Sequence, residues 1–230
     1  MTKKLYTAVG ILKQKRGGGG LSYPYVEIAK QEFNLNVQEM LVWSLLNWRI
    51  VDEQELKALY LKKLNELNLD YHTTLEACHY RLMQRGLVAE GKGETGADAL
   101  YDLMFGLYVV PVSENIFLRL ISFFKLTFIK GIPFSSTKRI LLKDNRSKGE
   151  QQVMKLANQA IFSTAEIIKC VEMNKSSFTN DEEILDTLYE DEYTISENIA
   201  YSVKTSPVCR PVLTDVANLY LRQQIVFGGV

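Results

Sequence analysis

The chain has 230 residues, of which 47% are apolar and 23% charged, a globular composition that excludes collagen-like, low-complexity and disordered classes. It contains no run of about 18 uncharged apolar residues and no apolar core with a cleavage site near its N-terminus, so neither a membrane span nor a signal peptide is expected. The net charge is zero, but basic and acidic blocks alternate along the chain. Their net charges are +4 in residues 1–35, −4 in 36–112, +6 in 113–149 and −6 in 150–230. A polyanion would have to bind the two basic blocks, unless these blocks pack against the acidic ones.

The first 35 residues are predicted to form short strands in a small sheet or a pair of hairpins. Residues 5–12 and 23–28 are rich in β-prone apolar residues, and the second segment alternates apolar and polar positions. Four consecutive glycines, Gly17–Gly20, lie between them and indicate a flexible turn. The basic residues beside this turn are expected to form a mobile arm: Lys13, Lys15 and Arg16.

Residues 36–85 show helical periodicity in three segments. Each segment begins with a polar residue that has a glutamate three positions later, which is a capping pair ahead of an apolar run. The three pairs are Asn36 with Glu39, Asp52 with Glu55, and Thr73 with Glu76. The sequence therefore predicts three consecutive helices.

The third of these helices is predicted over residues 73–85. Its inward positions are Leu75, Cys78 and Leu82. Gly86 provides the left-handed residue with which helices often end. A strand over residues 87–90 and a glycine turn over 91–93 are predicted to follow.

The residues after Gly96 are compatible with either a helix or a strand. Apolar residues within 100–104 have helical spacing, which favours a helix to about Gly106, although residues 107–111 also have the composition of a short strand. A domain boundary is predicted near Pro111–Ser113.

Residues 113–134 are dense in phenylalanine, leucine and isoleucine. We rank a core helix first, a dimer-interface helix second and a membrane-surface helix third. A basic run follows, which would strengthen a polyanion site if it shared a face with the helix over 73–85: Lys138, Arg139, Lys143, Arg146 and Lys148. The chain beyond residue 150 has helical periodicity throughout, so a helical dimerisation or regulatory domain is predicted over 113–230.

No motif for catalysis, metal binding or cofactor binding stands out. The three cysteines lie far apart, which fits neither a disulfide framework nor a zinc site and favours a reduced, cytoplasmic compartment. His72 and His79 lack partners at metal-ligand spacing. The spacing Gly-x-Gly-x-x-Gly occurs over 91–96, but no βαβ unit surrounds it and Glu94 would repel a pyrophosphate. We therefore expect no cofactor, no metal and no catalytic residue, and keep an enzyme of unseen motif as a second alternative.

Residues 36–93 combine two helices, a tight connection, a capped third helix, a glycine, a strand and a glycine turn. The third helix and its exit have the sequence Thr-Thr-Leu-Glu-Ala-Cys-His-Tyr-Arg-Leu-Met-Gln-Arg-Gly-Leu-Val over 73–88. This pattern resembles the winged helix-turn-helix superfamily. Together with the helical periodicity of the C-terminal half, the resemblance implies a mainly α fold with small β, in which a winged-helix-like N-terminal domain over 1–112 precedes an all-helical C-terminal domain over 113–230.

In the superfamily that the chain resembles, the third helix enters the major groove of double-stranded DNA as a recognition helix. The resemblance implies a DNA-binding transcriptional regulator, with a homodimer as the assembly considered. The expected DNA contacts are Thr73, Thr74, Tyr80, Arg81, Gln84, Arg85, Lys92, Lys13, Lys15 and Arg16. Because residues 36–112 carry a net charge of −4, the first alternative is an adaptor that holds a protein partner without binding DNA.

Tyrosine is frequent, with twelve residues. Four tyrosines of the C-terminal half are candidates for lining an effector pocket: Tyr189, Tyr193, Tyr201 and Tyr220. We favour the simpler interpretation, in which they pack in the core with hydrogen-bonded hydroxyl groups.

Overall fold

The computed structural model describes residues 2–16, 22–67, 74–112, 146–189 and 194–229. The strands in these ranges are β1 Lys3–Ala8, β2 Ile11–Arg16, β3 Ser22–Ile28, β4 Gln31–Phe33, β5 Val88–Gly93, β6 Tyr108–Pro111, β7 Phe162–Ser163 and β8 Ile225–Gly228. The helices are α1 Val37–Leu46, α2 Glu53–Leu67, α3 Leu75–Gln84, α4 Gly96–Phe105, α5 Lys148–Ala157, α6 Thr164–Glu172, α7 Asp181–Leu188, α8 Ser196–Val203 and α9 Cys209–Leu221.

The described strands form three small antiparallel sheets. β1 pairs with β5, so that Lys3 lies opposite Gly93 and Ala8 opposite Val88. β2, β3 and β4 follow one another in a second sheet. In the third sheet β6 lies between β7 and β8. Helices and strands therefore occur in both halves of the described chain.

The predicted fold class is wrong. The C-terminal half was expected to be all helical, but it contributes β7 and β8 to the third sheet. The N-terminal part contains two separate sheets and four helices in its described residues, and it does not form the predicted winged-helix domain. The described chain is a mixed α and β structure.

The residues that follow β5 explain why the N-terminal part does not form the predicted winged-helix domain. A wing requires a second strand from the residues that follow, but Thr95 and Asp98 form a capping box that starts α4 two residues beyond β5. The partner of β5 is instead β1, at the start of the chain. Because this pairing joins residues 80 to 90 positions apart, local sequence patterns do not reveal it.

The C-terminal error has its cause at the end of α9. Helical spacing continues through Ile225 in the sequence, but α9 ends at Leu221 and Gln223 adopts a left-handed φ of 61°. The chain then enters β8, where Ile225, Val226 and Phe227 are all buried. Three consecutive buried apolar residues fit a strand that is covered on both faces.

Buried side chains of the described residues gather in two clusters. The first surrounds Trp43, which is fully buried between α1, α2, α3 and β1 and donates its Nε1–H to the Val9 carbonyl at 3.0 Å. The second combines residues within 103–109 with α5, α6, α9 and β8. The domain boundary near residue 112 stays a prediction, and residues 103–109 pack with the C-terminal cluster.

The segment from Tyr6 to Val9 contributes side chains to both clusters, because successive side chains of an extended chain point to opposite faces. Tyr6 and Ala8 belong to the first cluster, whereas Val9 belongs to the second. Thr7 Oγ1 donates to the Arg49 carbonyl at 2.7 Å and accepts from the Tyr220 hydroxyl at 2.7 Å. The same hydroxyl accepts from the backbone N–H of Trp48 at 2.8 Å, so α9 is tied to the connection between α1 and α2.

Two sequence predictions concern residues 113–145. The apolar segment 113–134 and the basic residues Lys138, Arg139 and Lys143 lie outside the described residues. Within the described ranges, no helix combines the length and the apolar character that crossing a bilayer requires.

Candidate nucleic-acid interface

The helix α3 is built as its sequence predicts, with one shift at its start. Thr74, and not Thr73, is the N-cap residue, and its hydroxyl accepts from the Ala77 N–H at 3.3 Å. At the other end Gly86 has a φ of 67°, and the N–H of Leu87 donates to the Leu82 carbonyl at 2.9 Å. This is the hydrogen-bonding pattern that closes helices with a left-handed residue.

The inward face of α3 is confirmed at two of its three predicted positions. Cys78 and Leu82 are fully buried against α1 and β5, while Leu75 is half-buried. The opposite face is exposed and carries Thr74, Glu76, Ala77, Tyr80, Arg81 and Gln84. Four of the predicted DNA-contacting side chains therefore share one exposed helix face. Thr73 lies outside the described residues.

Arg81 and Arg85 both contact the carboxylate of Glu39, which is 6% exposed at the start of α1. Arg81 Nε lies 3.0 Å from Oε1, and Arg85 Nη1 lies 3.3 Å from Oε2. Glu39 also completes the capping box of α1, because its Oε2 accepts from the Asn36 N–H at 3.2 Å. One carboxylate therefore joins α1 to α3 and leaves one net positive charge on this cluster of three residues.

The two arginines differ in the number of contacts they make and in the exposed fraction of their side chains. Arg85 Nη2 donates to the Asn34 carbonyl at 2.8 Å, and its guanidinium lies 5.7 Å from the centroid of the Phe33 ring. These contacts attach the end of α3 to the segment before α1. Arg81 has 46% of its side chain exposed, against 33% for Arg85. Arg81 is therefore the better placed of the two to contact a ligand, and Arg85 positions the helix.

Lys92 lies on β5 and not on α3, and its ammonium is 2.5 Å from Glu90 Oε2. Glu90 Oε1 also contacts Lys4 Nζ at 3.0 Å and accepts from the Tyr6 hydroxyl at 3.1 Å. Burial alone would raise the pKa of Glu90, but these three hydrogen bonds outweigh burial and lower it. The carboxylate is therefore charged at neutral pH and holds both lysines.

The predicted mobile basic arm is wrong in the described residues, because Lys13 and Lys15 lie in β2, which pairs with β3. Their ammonium groups contact carboxylates of the same sheet, with Lys13 Nζ 2.5 Å from Glu27 and Lys15 Nζ 2.8 Å from Glu32. The structure thus pairs both lysines with carboxylates within the sheet. It does not describe the side chain of Arg16.

The role of Glu39 was missed in part by the sequence analysis. The sequence identifies it as a capping residue, and that is confirmed. Its second role, as the partner of Arg81 and Arg85, joins positions more than 40 residues apart, for which the sequence contains no local signal.

Comparisons of the chain with protein-family models, with curated proteins and with solved structures give no significant match.

Proposed function

We propose that the chain binds double-stranded DNA through the exposed face of α3 and acts as a transcriptional regulator. The observation that carries the proposal is the single exposed helix face that presents Thr74, Tyr80, Arg81 and Gln84. Hydroxyl, guanidinium and amide groups all donate hydrogen bonds to base edges or phosphate oxygens. A helix of 10 residues is about 15 Å long and fits the major groove.

The packing of α3 supports the same proposal, because a helix that reads DNA must be held rigidly. Cys78 and Leu82 anchor its inner face, and Arg85 attaches its C-terminal end. Ala77 lies in the middle of the exposed face, where its small side chain allows close approach of a base pair. Side chains fixed in this way lose little conformational entropy on binding.

The electrostatic attraction is expected to be modest. The cluster of Glu39 with Arg81 and Arg85 keeps one net positive charge at the exposed face of α3. Each phosphate neutralised changes the slope of log affinity against log salt by about −0.9. One surplus charge therefore predicts a slope of about −1 for the contribution of this cluster.

Arg81→Ala is expected to weaken binding of a random-sequence duplex about tenfold and to make the salt slope shallower by about 1. The stability should change by less than about 1 kcal/mol, because Arg81 is half exposed and Glu39 keeps Arg85 as its partner. Fluorescence anisotropy of a labelled duplex, measured with the full chain between about 50 and 200 mM salt, gives both quantities.

Arg222→Ala is the matched control for this measurement. Arg222 is also partly exposed and contacts Glu150, a buried capping-box glutamate at the start of α5. It should leave the duplex affinity unchanged. Equal losses for the two variants, or no duplex binding by the unchanged chain at low salt, would contradict the proposal.

An adaptor that holds a protein partner is the second candidate function. The observation that favours it is the pairing of the predicted DNA-binding cations with carboxylates: Lys13, Lys15, Arg81, Arg85 and Lys92. Tyr80, which is 62% exposed, is also a residue type enriched at protein interfaces. No retention on duplex at low salt, together with stable folding, is the result that an adaptor predicts.

A homodimer and a cytoplasmic location belong to the same proposal. Regulators that read two half-sites do so as symmetric dimers, so light scattering of the purified chain should give twice the monomer mass. The three cysteines, Cys78, Cys170 and Cys209, are buried and unpaired. Unpaired cysteines support the proposal of a reduced compartment.

A further inference from the structure

A cleft of about 540 Å³ lies between α4 and α8. Its volume falls in the range of small-molecule sites, which is about 300 to 1,000 Å³. The connection from β5 to α4 forms one wall through Glu94. None of the side chains that we assign to DNA contact on α3 lines it, so it is a separate site.

The apolar part of the cleft is aromatic. The rings of Tyr101 and Phe105 on α4 stack with their centroids 5.7 Å apart and their planes at 23°. Tyr201 on α8 also lines the cleft and is 84% exposed. Four tyrosines were considered from the sequence for an effector pocket. Tyr220 is in the core, Tyr189 donates to Glu166, and Tyr201 lines this cleft, while Tyr193 lies outside the described residues.

The polar part of the cleft is predominantly acidic. Four carboxylates line it, namely Glu94, Asp98, Asp102 and Glu197, against the two ammonium groups of Lys92 and Lys204. The Lys92 ammonium contacts Glu90, which lies outside the lining, and Lys204 lies 3.9 Å from Asp98. The lining therefore carries two surplus negative charges beside the exposed ring of Tyr201 and the half-buried ring of Tyr101.

We propose that this cleft binds an organic cation, an amine that carries an aromatic or alkyl group. Aromatic faces attract a cation through the negative potential of their π electrons, and nearby carboxylates attract it by charge. The apolar part of such a ligand would lie against Tyr101 and Phe105, and its ammonium would lie between Tyr201 and the carboxylates. An anion of the same shape would meet the surplus negative charge and is excluded by it.

The inference does not depend on DNA binding, because it concerns a different face and is tested without DNA. Isothermal titration calorimetry of the full chain with phenethylamine is the direct measurement. The neutral 2-phenylethanol and the anionic 3-phenylpropionate serve as probes of similar shape. We expect phenethylamine to bind at least about fivefold more tightly than 2-phenylethanol, and 3-phenylpropionate to give no binding heat.

Two exposed positions test the site without disturbing the core. Tyr201→Ala is expected to weaken phenethylamine binding about fivefold, and Glu197→Gln about threefold. Tyr80→Ala, on the exposed face of α3, is the matched control and should leave the amine affinity unchanged. Thermal melting of each variant checks that it is folded.

Three results would overturn the inference. The first is no binding heat for phenethylamine at millimolar concentration. The second is equal binding of the three probes, which would show that charge plays no part. The third is an equal loss of affinity in Tyr201→Ala and Tyr80→Ala, which would place the amine outside the cleft. Failure of duplex binding in the anisotropy measurement would leave each of these results unaffected.

Discussion

Gly91→Ala is expected to lower the free energy of unfolding by about 3 kcal/mol or more, which is at the upper end of the range for overpacking. Gly91 is buried in β5, directly beneath α4. A Cβ atom built at this position would lie 2.2 Å from the backbone oxygen of Ala99 and 2.5 Å from the backbone nitrogen of Leu103. Backbone atoms in a helix cannot move aside locally, so α4 as a whole would have to shift.

Gly96→Ala is the matched control for this substitution. Gly96 belongs to the same Gly-x-Gly-x-x-Gly spacing, but a Cβ there meets no atom within 4 Å. It is the first residue of α4, where alanine is the better helix former by up to about 1 kcal/mol. Urea unfolding followed by circular dichroism measures both variants. A destabilisation of Gly91→Ala below about 1 kcal/mol would contradict the close packing of α4 on β5.

Leu82→Ala is expected to cost about 2–5 kcal/mol, the usual cost of truncating a fully buried leucine. Leu82 is 0% exposed and lies in the first cluster with Trp43, Leu46 and Leu56. The loss should appear in urea unfolding as a lower midpoint with an unchanged slope.

The control for Leu82 is Leu61→Ala on α2, where the side chain is 51% exposed. This variant should change the free energy of unfolding by less than about 1 kcal/mol. If the two variants lost the same stability, α3 would not be packed through Leu82, and the exposed face assigned to α3 would be wrong as well.

Local signals predicted most helix starts. Asn36 with Glu39 is a capping box in the structure, and Asp52 accepts from the N–H of Glu55 at 2.8 Å. These predictions are confirmed because the residues that satisfy the first free N–H groups of a helix lie within the same turn. An error of one residue occurs where two capping residues are adjacent, as at Thr74, which caps α3 in place of Thr73.

Long-range partners could not be predicted from the sequence in the same way. Three capping-box glutamates also bind a distant element: Glu39 contacts Arg81 and Arg85, Glu150 contacts Arg222, and Glu166 accepts from the Tyr189 hydroxyl. Each is buried, so its carboxylate needs these additional partners. The capping motif is visible in the sequence, whereas the second partner depends on the tertiary fold.

At the candidate interface, too, the sequence predicts local features but not long-range contacts. Periodicity identified the buried Cys78 and Leu82 and therefore the exposed positions of α3, because burial on one helix face repeats every three to four residues. Charge counting did not show which cations are paired. Lys13, Lys15 and Lys92 contribute to the basic count of the sequence, but each contacts a carboxylate of its own sheet.

Cysteine labelling at position 84 tests directly whether the exposed face of α3 binds DNA. The three native cysteines react slowly with the label because they are buried and burial raises the pKa of each thiol. Gln84→Cys places a reactive thiol on the exposed face of α3, and Leu185→Cys places one on α7, where the side chain is 58% exposed. The rate of maleimide labelling is measured with and without a random-sequence duplex at about 50 mM salt. We expect DNA to slow labelling at position 84 and to leave the labelling rate at position 185 unchanged. Equal rates at position 84 with and without a duplex that the chain binds would contradict this expectation.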